Sequence, residues 1–269
     1  MNWLNEDWVI APAGGVTGQA FVAQSRGEKI FIKRNSSPFL AVLSAEGIVP
    51  KLLWTKRLEN GDVITAQKWL NGRNLKAEEM KSERVAKLLK RIHSSEPLVS
   101  MLARLGKKPL TPKTIVDGLA AEAEPWVWTE DIRAALRFLE RTHAAVDGTE
   151  KAVCHTDMNH NNWLLGEDGE LYLVDWDHAV IADPALDLGM VLHWYVEESL
   201  WEEWLSDYGW PLSDSVRLRM YWYALARTLS FLLWNRVRER HDEARFYEKE
   251  LARLMRYGES RFKRMHPDG

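Results

Sequence analysis

The chain of 269 residues carries a single cysteine, Cys154. One cysteine excludes an internal disulfide and any cysteine-based zinc site. No apolar run approaches the roughly 20 residues that a membrane-crossing helix needs. The N-terminus also lacks the basic, apolar and small-residue order of a secretory signal. The expectation is a cytoplasmic protein with no membrane partner. Positive charge is not in excess: 36 Lys and Arg against 39 Asp and Glu leave a net charge of −3. That balance argues against nucleic acid as a partner, although basic residues cluster from Arg217 to Arg240. Repeats and low-complexity tracts are missing too. What is present is an ordinary globular composition, 46% apolar and 28% charged, long enough for one large domain or two lobes. The 14 tryptophans are mostly core, and tryptophan also makes good walls for small-molecule pockets.

The first seventy residues read as strands. "DWVIAP", "QAFVAQ" and "KIFIKR" are short β segments, with glycines after the first and a polar turn, "SRGE", between the other two. Ser37 before Pro38 predicts a helix start, and Gly47 and Pro50 predict its early stop. Asn60-Gly61 between two β-rich runs predicts a hairpin. After a connector at Leu70–Asn74 the pattern turns helical. Leu75, Met80, Val85, Leu88, Leu89 and Ile92 recur at helical spacing, as do Ile132, Ala135, Leu136 and Leu139. The strandlike pieces "AVCH", "WLL" and "LYLVDW" interrupt this lobe, and from Leu186, apart from "YGWPLS", the chain reads as helices to about Arg261. The division is residues 1–70 and 71–269, an α+β arrangement with a cleft between the lobes.

The stretch "VCHTDMNHNNWLL", residues 153–165, places eight residues, all but Met158 polar, between two apolar flanks. Asp157 and Asn162 lie five apart, and Asp175 follows thirteen residues after Asn162. A hairpin of 163–165 with 171–174 across "GEDG" returns Asp175 to Asn162. Their two side-chain oxygens then suit Mg²⁺, a hard cation. Asp157 is left to orient a hydroxyl and accept its proton. A base, two metal ligands and a cleft describe phosphoryl transfer from a nucleotide such as ATP. In the small lobe Lys33 could reach phosphates, Glu46 is a counter-ion for it, and Gly14, Gly15 and Gly18 offer bare backbone. His155 is expected to support the loop through backbone hydrogen bonds. Asp187 is expected to cap a helix or brace the same loop, and His93 to be a satisfied core or boundary residue.

"HTDMNHNN" with "LVDWD" resembles the kinase-like phosphotransferases that include aminoglycoside and choline kinases. Through "RNSSPFLAVLSAEGIVPKLLW", "AQKWLNG" and "LVDWD" the chain is most similar, within that group, to the CcrZ/YtmP-type proteins of Gram-positive bacteria. The resemblance implies a bilobal protein-kinase-like fold, with a small antiparallel-sheet N-lobe for nucleotide and a larger, mainly helical C-lobe for catalysis and substrate. It also implies ATP and Mg²⁺ as cofactors, ribose or deoxyribose phosphorylation, cell-cycle control, and cell-division or replication proteins as partners. It matches Asp157 to the catalytic base, Asn162 and Asp175 to the metal ligands, and Lys33 to the phosphate-binding lysine. Gln67 to Trp69 match the hinge strand beside adenine. Two positions depart from the pattern. Thr156 stands where the wider family has glycine, and the glycine loop is not a clean G-x-G-x-x-G.

The run "DWDHAVIADPALDLG" reaches the next helix within a dozen residues of Asp175, which leaves no room for a peptide-binding platform. The acceptor is therefore expected to be a small molecule. An aminoglycoside needs a strongly acidic pocket, whereas Glu198 and Glu202 are spaced as a solvated i,i+4 pair. Choline needs an aromatic cage, for which Trp194, Tyr195, Trp222 and Tyr223 are the material. A sugar needs polar groups, for which Asp177, Asn159, His160 and Arg227 are the candidates. A choline-like or aminoglycoside-like kinase stays open as the enzymatic alternative, and a nucleotide-binding regulatory scaffold as the non-enzymatic one.

Overall fold

A computed structural model describes residues 4, 7–13, 18–122, 128–148 and 150–262. The small lobe opens with strands β1 (Val9–Pro12), β2 (Ala20–Ser25) and β3 (Glu28–Arg34), then helix α1 (Phe39–Ala45), then β4 (Leu52–Arg57) and β5 (Val63–Lys68). The strands form one antiparallel sheet in the order β1-β2-β3-β5-β4. Period-two alternation places Phe21, Ala23, Ile30, Ile32, Ile64 and Ala66 on one face, where they make a small core of their own. Strand β5 lies between β3 and β4 and also buries Thr65 and Gln67 on its opposite face.

Helix α1 begins as expected, with the Ser37 hydroxyl accepting the Phe39 N–H at 3.2 Å. It ends at Gly47, whose φ of +65° glycine adopts at little cost. Its Phe39 and Leu43, with Ile48 and Val49, join the larger hydrophobic cluster rather than the small one. The Asn60-Gly61 hairpin is present with a longer turn than the dipeptide alone requires. Arg57 pairs with Val63, the Leu58 N–H bonds the Asp62 carbonyl at 2.8 Å, and Gly61 takes a φ of +89°.

The connector contributes a strand, β6 (Gly72–Asn74), which pairs with the later hairpin. Gly72 is required there, because a Cβ would stand 2.3 Å from the Leu165 carbonyl oxygen. Helices α2 (Glu83–His93), α3 (Glu96–Arg104), α4 (Pro112–Glu122) and α5 (Glu130–Thr142) follow. Next come β7 (Ala152–Cys154), β8 (Trp163–Gly166), β9 (Leu171–Leu173) and β10 (Val180–Ala182). The chain finishes in α6 (Ala185–Tyr195), α7 (Trp201–Tyr208), α8 (Asp214–Val237) and α9 (His241–Arg261). Side-chain hydroxyls of Ser95, Thr129 and Ser213 cap α3, α5 and α8. Helix α6 is buried from Ala185 to His193 and meets α8 closely at Gly189, whose absent Cβ would lie 2.3 Å from the Met220 carbonyl oxygen. Trp222 and Tyr223 on α8 are fully buried. They belong to the core and are removed from the cage material expected above. No described helix is long and apolar enough to cross a membrane.

Candidate active site

Strand β7 delivers His155, Thr156 and Asp157 from the core into the cleft. The loop is held from beneath by Asp187, which is completely buried on α6. Its carboxylate accepts the His155 N–H at 2.8 Å, the Thr156 N–H at 2.9 Å and the His93 Nε2–H at 3.1 Å. Tyr208 engages the other nitrogen of His93 at 3.0 Å. Asp187 thus braces the loop that carries Asp157, and His93 is a satisfied core residue. Cys154, His93 and Asp187 lie close enough to hold a metal ion. The carboxylate is already occupied by three N–H donors, however, and burial pushes the Cys154 thiol well up, so the cluster reads as structural.

Thr156 takes a φ of +72°, the left-handed region where a β-branched residue is strained. The surroundings fix it at three atoms. Its N–H is on Asp187, its hydroxyl donates to the His178 carbonyl at 3.3 Å, and its own carbonyl accepts from Arg227 at 3.0 Å. This conformation explains why glycine suits the position and how threonine is retained there. His155 donates from Nε2 to the Val174 carbonyl at 2.8 Å and accepts the Asp157 N–H on Nδ1 at 3.3 Å. Both ring nitrogens are engaged with backbone, the supporting role expected of it.

Asp157 accepts the Asn159 N–H at 3.1 Å. A 3₁₀ turn, His160–Asn162, then carries the chain into β8. The Asn162 amide donates to the Asp157 carbonyl at 3.2 Å, so its carboxamide oxygen is the end left for another ligand. The Val174 N–H donates to the Asn162 carbonyl at 2.9 Å, and Trp163 pairs with Leu173. The hairpin therefore returns Asp175 beside Asn162, as the spacing predicts. Asp175 has a φ of +68° and is well exposed.

Lys33 reaches across from β3. Its ammonium lies 2.8 Å from both oxygens of Asp177 and 3.9 Å from Asp175. No Lys33–Glu46 ion pair exists among the described residues. Glu46 caps the C-terminal end of the short α1, and Asp177 takes the counter-ion position instead. Asp177 is thereby on the lysine side of the cleft. Gln67 donates to the Pro50 carbonyl at 2.8 Å, and Trp69 carries the Lys29 ammonium 3.7 Å over its ring. Gly18 takes a φ of +62°, whereas Gly14 and Gly15 lie outside the described residues.

On the other flank, Asn159 accepts the Asn161 N–H at 3.0 Å. The His160 N–H donates to the Tyr195 hydroxyl at 3.3 Å. Burial pushes that hydroxyl up to about 12, and the Asp157 carboxylate adds to the rise. Arg227 lies 4.6 Å over the Phe231 ring, and Phe231 stacks on Tyr247. Burial and the Asp157 charge also raise the Tyr247 hydroxyl. The sequence reading left Phe231 and Tyr247 out. The i,i+4 spacing of Arg227 and Phe231 on one helix was the available signal. An open groove of about 580 Å³ between α1, α2 and β9 includes none of the expected site residues.

A two-lobed fold whose cleft converges a lysine, two aspartates and an asparagine defines a kinase-like protein. A model of the phosphotransferase enzyme family matches residues 34–223, and the chain belongs to that family. The match begins just after Lys33, so the glycine segment and the lysine lie outside it. Among solved structures, the choline kinase LicA from Streptococcus pneumoniae is 20% identical, with a TM-score of 0.67 over 92% of this chain and 94% of that one. A choline/ethanolamine kinase family protein from Mesorhizobium loti is 18% identical, with a TM-score of 0.70 over 97% and 93%. The GDP complex of aminoglycoside 2'-phosphotransferase-IIIa is 15% identical, with a TM-score of 0.66 over 91% and 92%. At these identities the likeness shows the kinase-like fold.

Proposed function

We propose that the protein transfers the γ-phosphoryl group of ATP to a hydroxyl of a small metabolite, a ribose- or deoxyribose-containing compound. The observation that carries this reading is one connected chain of contacts. Lys33 lies against Asp175 and Asp177, the residue before Asp175 bonds the Asn162 backbone, and the Asn162 side chain bonds the Asp157 backbone. The donor set fits Mg²⁺: Asp175 and the Asn162 carboxamide offer hard oxygens, and the lysine ammonium shows that the carboxylates attract positive charge. When bound there, the ion neutralises the nucleotide's phosphates. Lys33 would leave Asp177 for those phosphates, and Gln67 to Trp69 with Gly14, Gly15 and Gly18 would contact the nucleotide.

Asp157 holds the acceptor hydroxyl and takes its proton as the oxygen bonds the γ-phosphorus. The bond from that phosphorus to the bridging oxygen breaks, and ADP departs with the electron pair. Only nine residues lie between Asp175 and the start of α6 at Ala185, which supports a small acceptor over a protein one. The structural neighbours named for choline, aminoglycosides and macrolides support a small hydroxyl compound in the same way. The quoted resemblance to CcrZ/YtmP-type proteins supports a cytoplasmic role in cell-cycle control, with cell-division or replication proteins as partners.

Asp157→Asn tests the assignment, because it keeps the shape and removes the proton acceptor. The variant should bind Mg·ATP nearly normally and lose turnover by about 10²–10⁴-fold. Near-normal single-turnover chemistry in a well-folded variant would remove the base and favour a nucleotide-binding scaffold.

A further inference from the structure

The ion pair of Lys33 with Asp177 joins the small lobe to the large one across 144 residues of chain. Both partners stand on fixed backbone. Lys33 belongs to β3, the middle strand of its sheet, and its carbonyl accepts the Thr65 hydroxyl at 3.2 Å. Asp177 follows Trp176, which is buried and donates from its indole N–H to the Leu173 carbonyl at 2.7 Å. The same indole meets His155 edge-on at 4.7 Å and Phe39 of α1 at 5.9 Å. Trp176 therefore pins the segment from Asp175 to Asp177 against the core, and Asp177 meets the lysine from a set position.

An ammonium is one point charge with three donors. Here both oxygens of Asp177 lie 2.8 Å from it, and Asp175 is more distant at 3.9 Å. Glu46 makes no pair with Lys33 among the described residues. Asp177 is thus the carboxylate that holds Lys33 in the cleft. The phosphates of a nucleotide are the second anion that wants the same ammonium. Binding that must first break a protein contact is weakened by the worth of that contact. The Lys33 side chain is 24% exposed and that of Asp177 50%, so solvent screening keeps this worth moderate.

We infer that Asp177 is a positioning residue that sets nucleotide affinity: it holds Lys33 across the cleft and competes with the phosphates for the ammonium. Nucleotide binding then exchanges one anionic partner of Lys33 for another, and the return of Lys33 to Asp177 assists ADP release. The inference rests on the reading of Lys33 as the lysine that meets the phosphates. A different role for Asp177, as a ligand of the metal ion, is an outcome of the test.

The test is calorimetric titration of the full chain with ATP, ADP and adenosine, each with Mg²⁺ and with a chelator. Raised salt screens general repulsion between exposed charges. Asp177→Asn should bind ATP and ADP about two- to five-fold more tightly, with or without Mg²⁺, the usual worth of a part-exposed ion pair. Adenosine, which lacks phosphates, should bind as to wild type. Asp177→Glu, which restores the carboxylate, should move ATP affinity back toward wild type, and Glu46→Gln should leave it unchanged. In a Lys33→Met background Asp177→Asn should have no effect. In turnover, the KM for ATP should fall in Asp177→Asn while kcat does not rise, because ADP leaves more slowly. Unchanged ATP affinity in Asp177→Asn, or equal tightening in the Lys33→Met background, would overturn this inference and leave the kinase reading standing. Weaker binding that appears only with Mg²⁺ would do the same and make Asp177 a metal ligand. Wild-type ATP affinity in Lys33→Met itself would overturn both the inference and the phosphate-binding role of Lys33.

Discussion

Removing the Asp187 carboxylate should unlatch the loop that carries Asp157 from below. In Asp187→Ala three donors lose their acceptor at once: the backbone N–H of His155, that of Thr156, and the ring N–H of His93. All sit where the aspartate is fully buried, so water cannot replace it without opening the core. Each buried group left unsatisfied costs about 1–3 kcal/mol. Breaking one member of a buried polar network costs about 3–5 kcal/mol. Taking about 4 kcal/mol for the set, a protein of this size should lose roughly 8–16 °C in Tm. The left-handed Thr156 would also lose one of its three anchors, so turnover per folded molecule should fall as Asp157 loosens. Scanning calorimetry and single-turnover rates on one preparation measure both effects. Asp157→Asn is the contrasting control, expected to lose turnover with its melting temperature almost unchanged. An Asp187→Ala protein melting within about 3 °C of wild type would refute the bracing argument and the three-donor accounting behind it.

Three further outcomes follow from the same geometry. Asp175→Asn should abolish turnover and remove most of the Mg²⁺ dependence of ATP affinity without unfolding the protein; calorimetric titration with and without Mg²⁺ checks this, and unchanged metal dependence counts against the ligand assignment. Burial pushes buried His193 down to about 3, with the Arg253 and Arg217 charges adding. The unfolded chain, with its ordinary value near 6.5, therefore binds the proton first. Stability should be full above about pH 6.5 and decline toward pH 3, at up to about 1.4 kcal/mol per pH unit. Urea midpoints at pH 7.5 and 5.5 should show a smaller acid loss in His193→Gln than in wild type. Gly72→Ala should weaken the pairing of β6 with β8, because the new Cβ meets the Leu165 carbonyl. Faster amide exchange at Glu167, whose N–H bonds the Asn71 carbonyl next to Gly72, reports it, and wild-type protection there would show that the strands tolerate the contact.

Where sequence and structure agree, the determining contacts are local. Strand alternation in "KIFIK" appears as buried Ile30 and Ile32, and the Ser37-Pro38 start of α1 and its stop at Gly47 depend on neighbours a few residues away. The hairpin that returns Asp175 to Asn162 is also local, since "GEDG" joins two short apolar runs that have only each other to pair with. The counter-ion of Lys33 is different. Glu46 is thirteen residues from the lysine and Asp177 is 144 away, so proximity in the chain favours the wrong carboxylate. Only the closing of one lobe on the other decides between them. The ring cluster was hidden for the same reason. Composition assigns half-buried aromatics to the core, and nothing in the chain order says that Tyr195, Phe231 and Tyr247 from three helices share one neighbourhood. Thr156 lies between these cases. Its departure from glycine is visible in the sequence, but its meaning is not. A threonine there demands anchors from Asp187, His178 and Arg227, up to 71 residues away in the chain. The residue before Asp157 is therefore one whose backbone the core itself must hold in place, and this ties the packing of α6 and α8 to the candidate site.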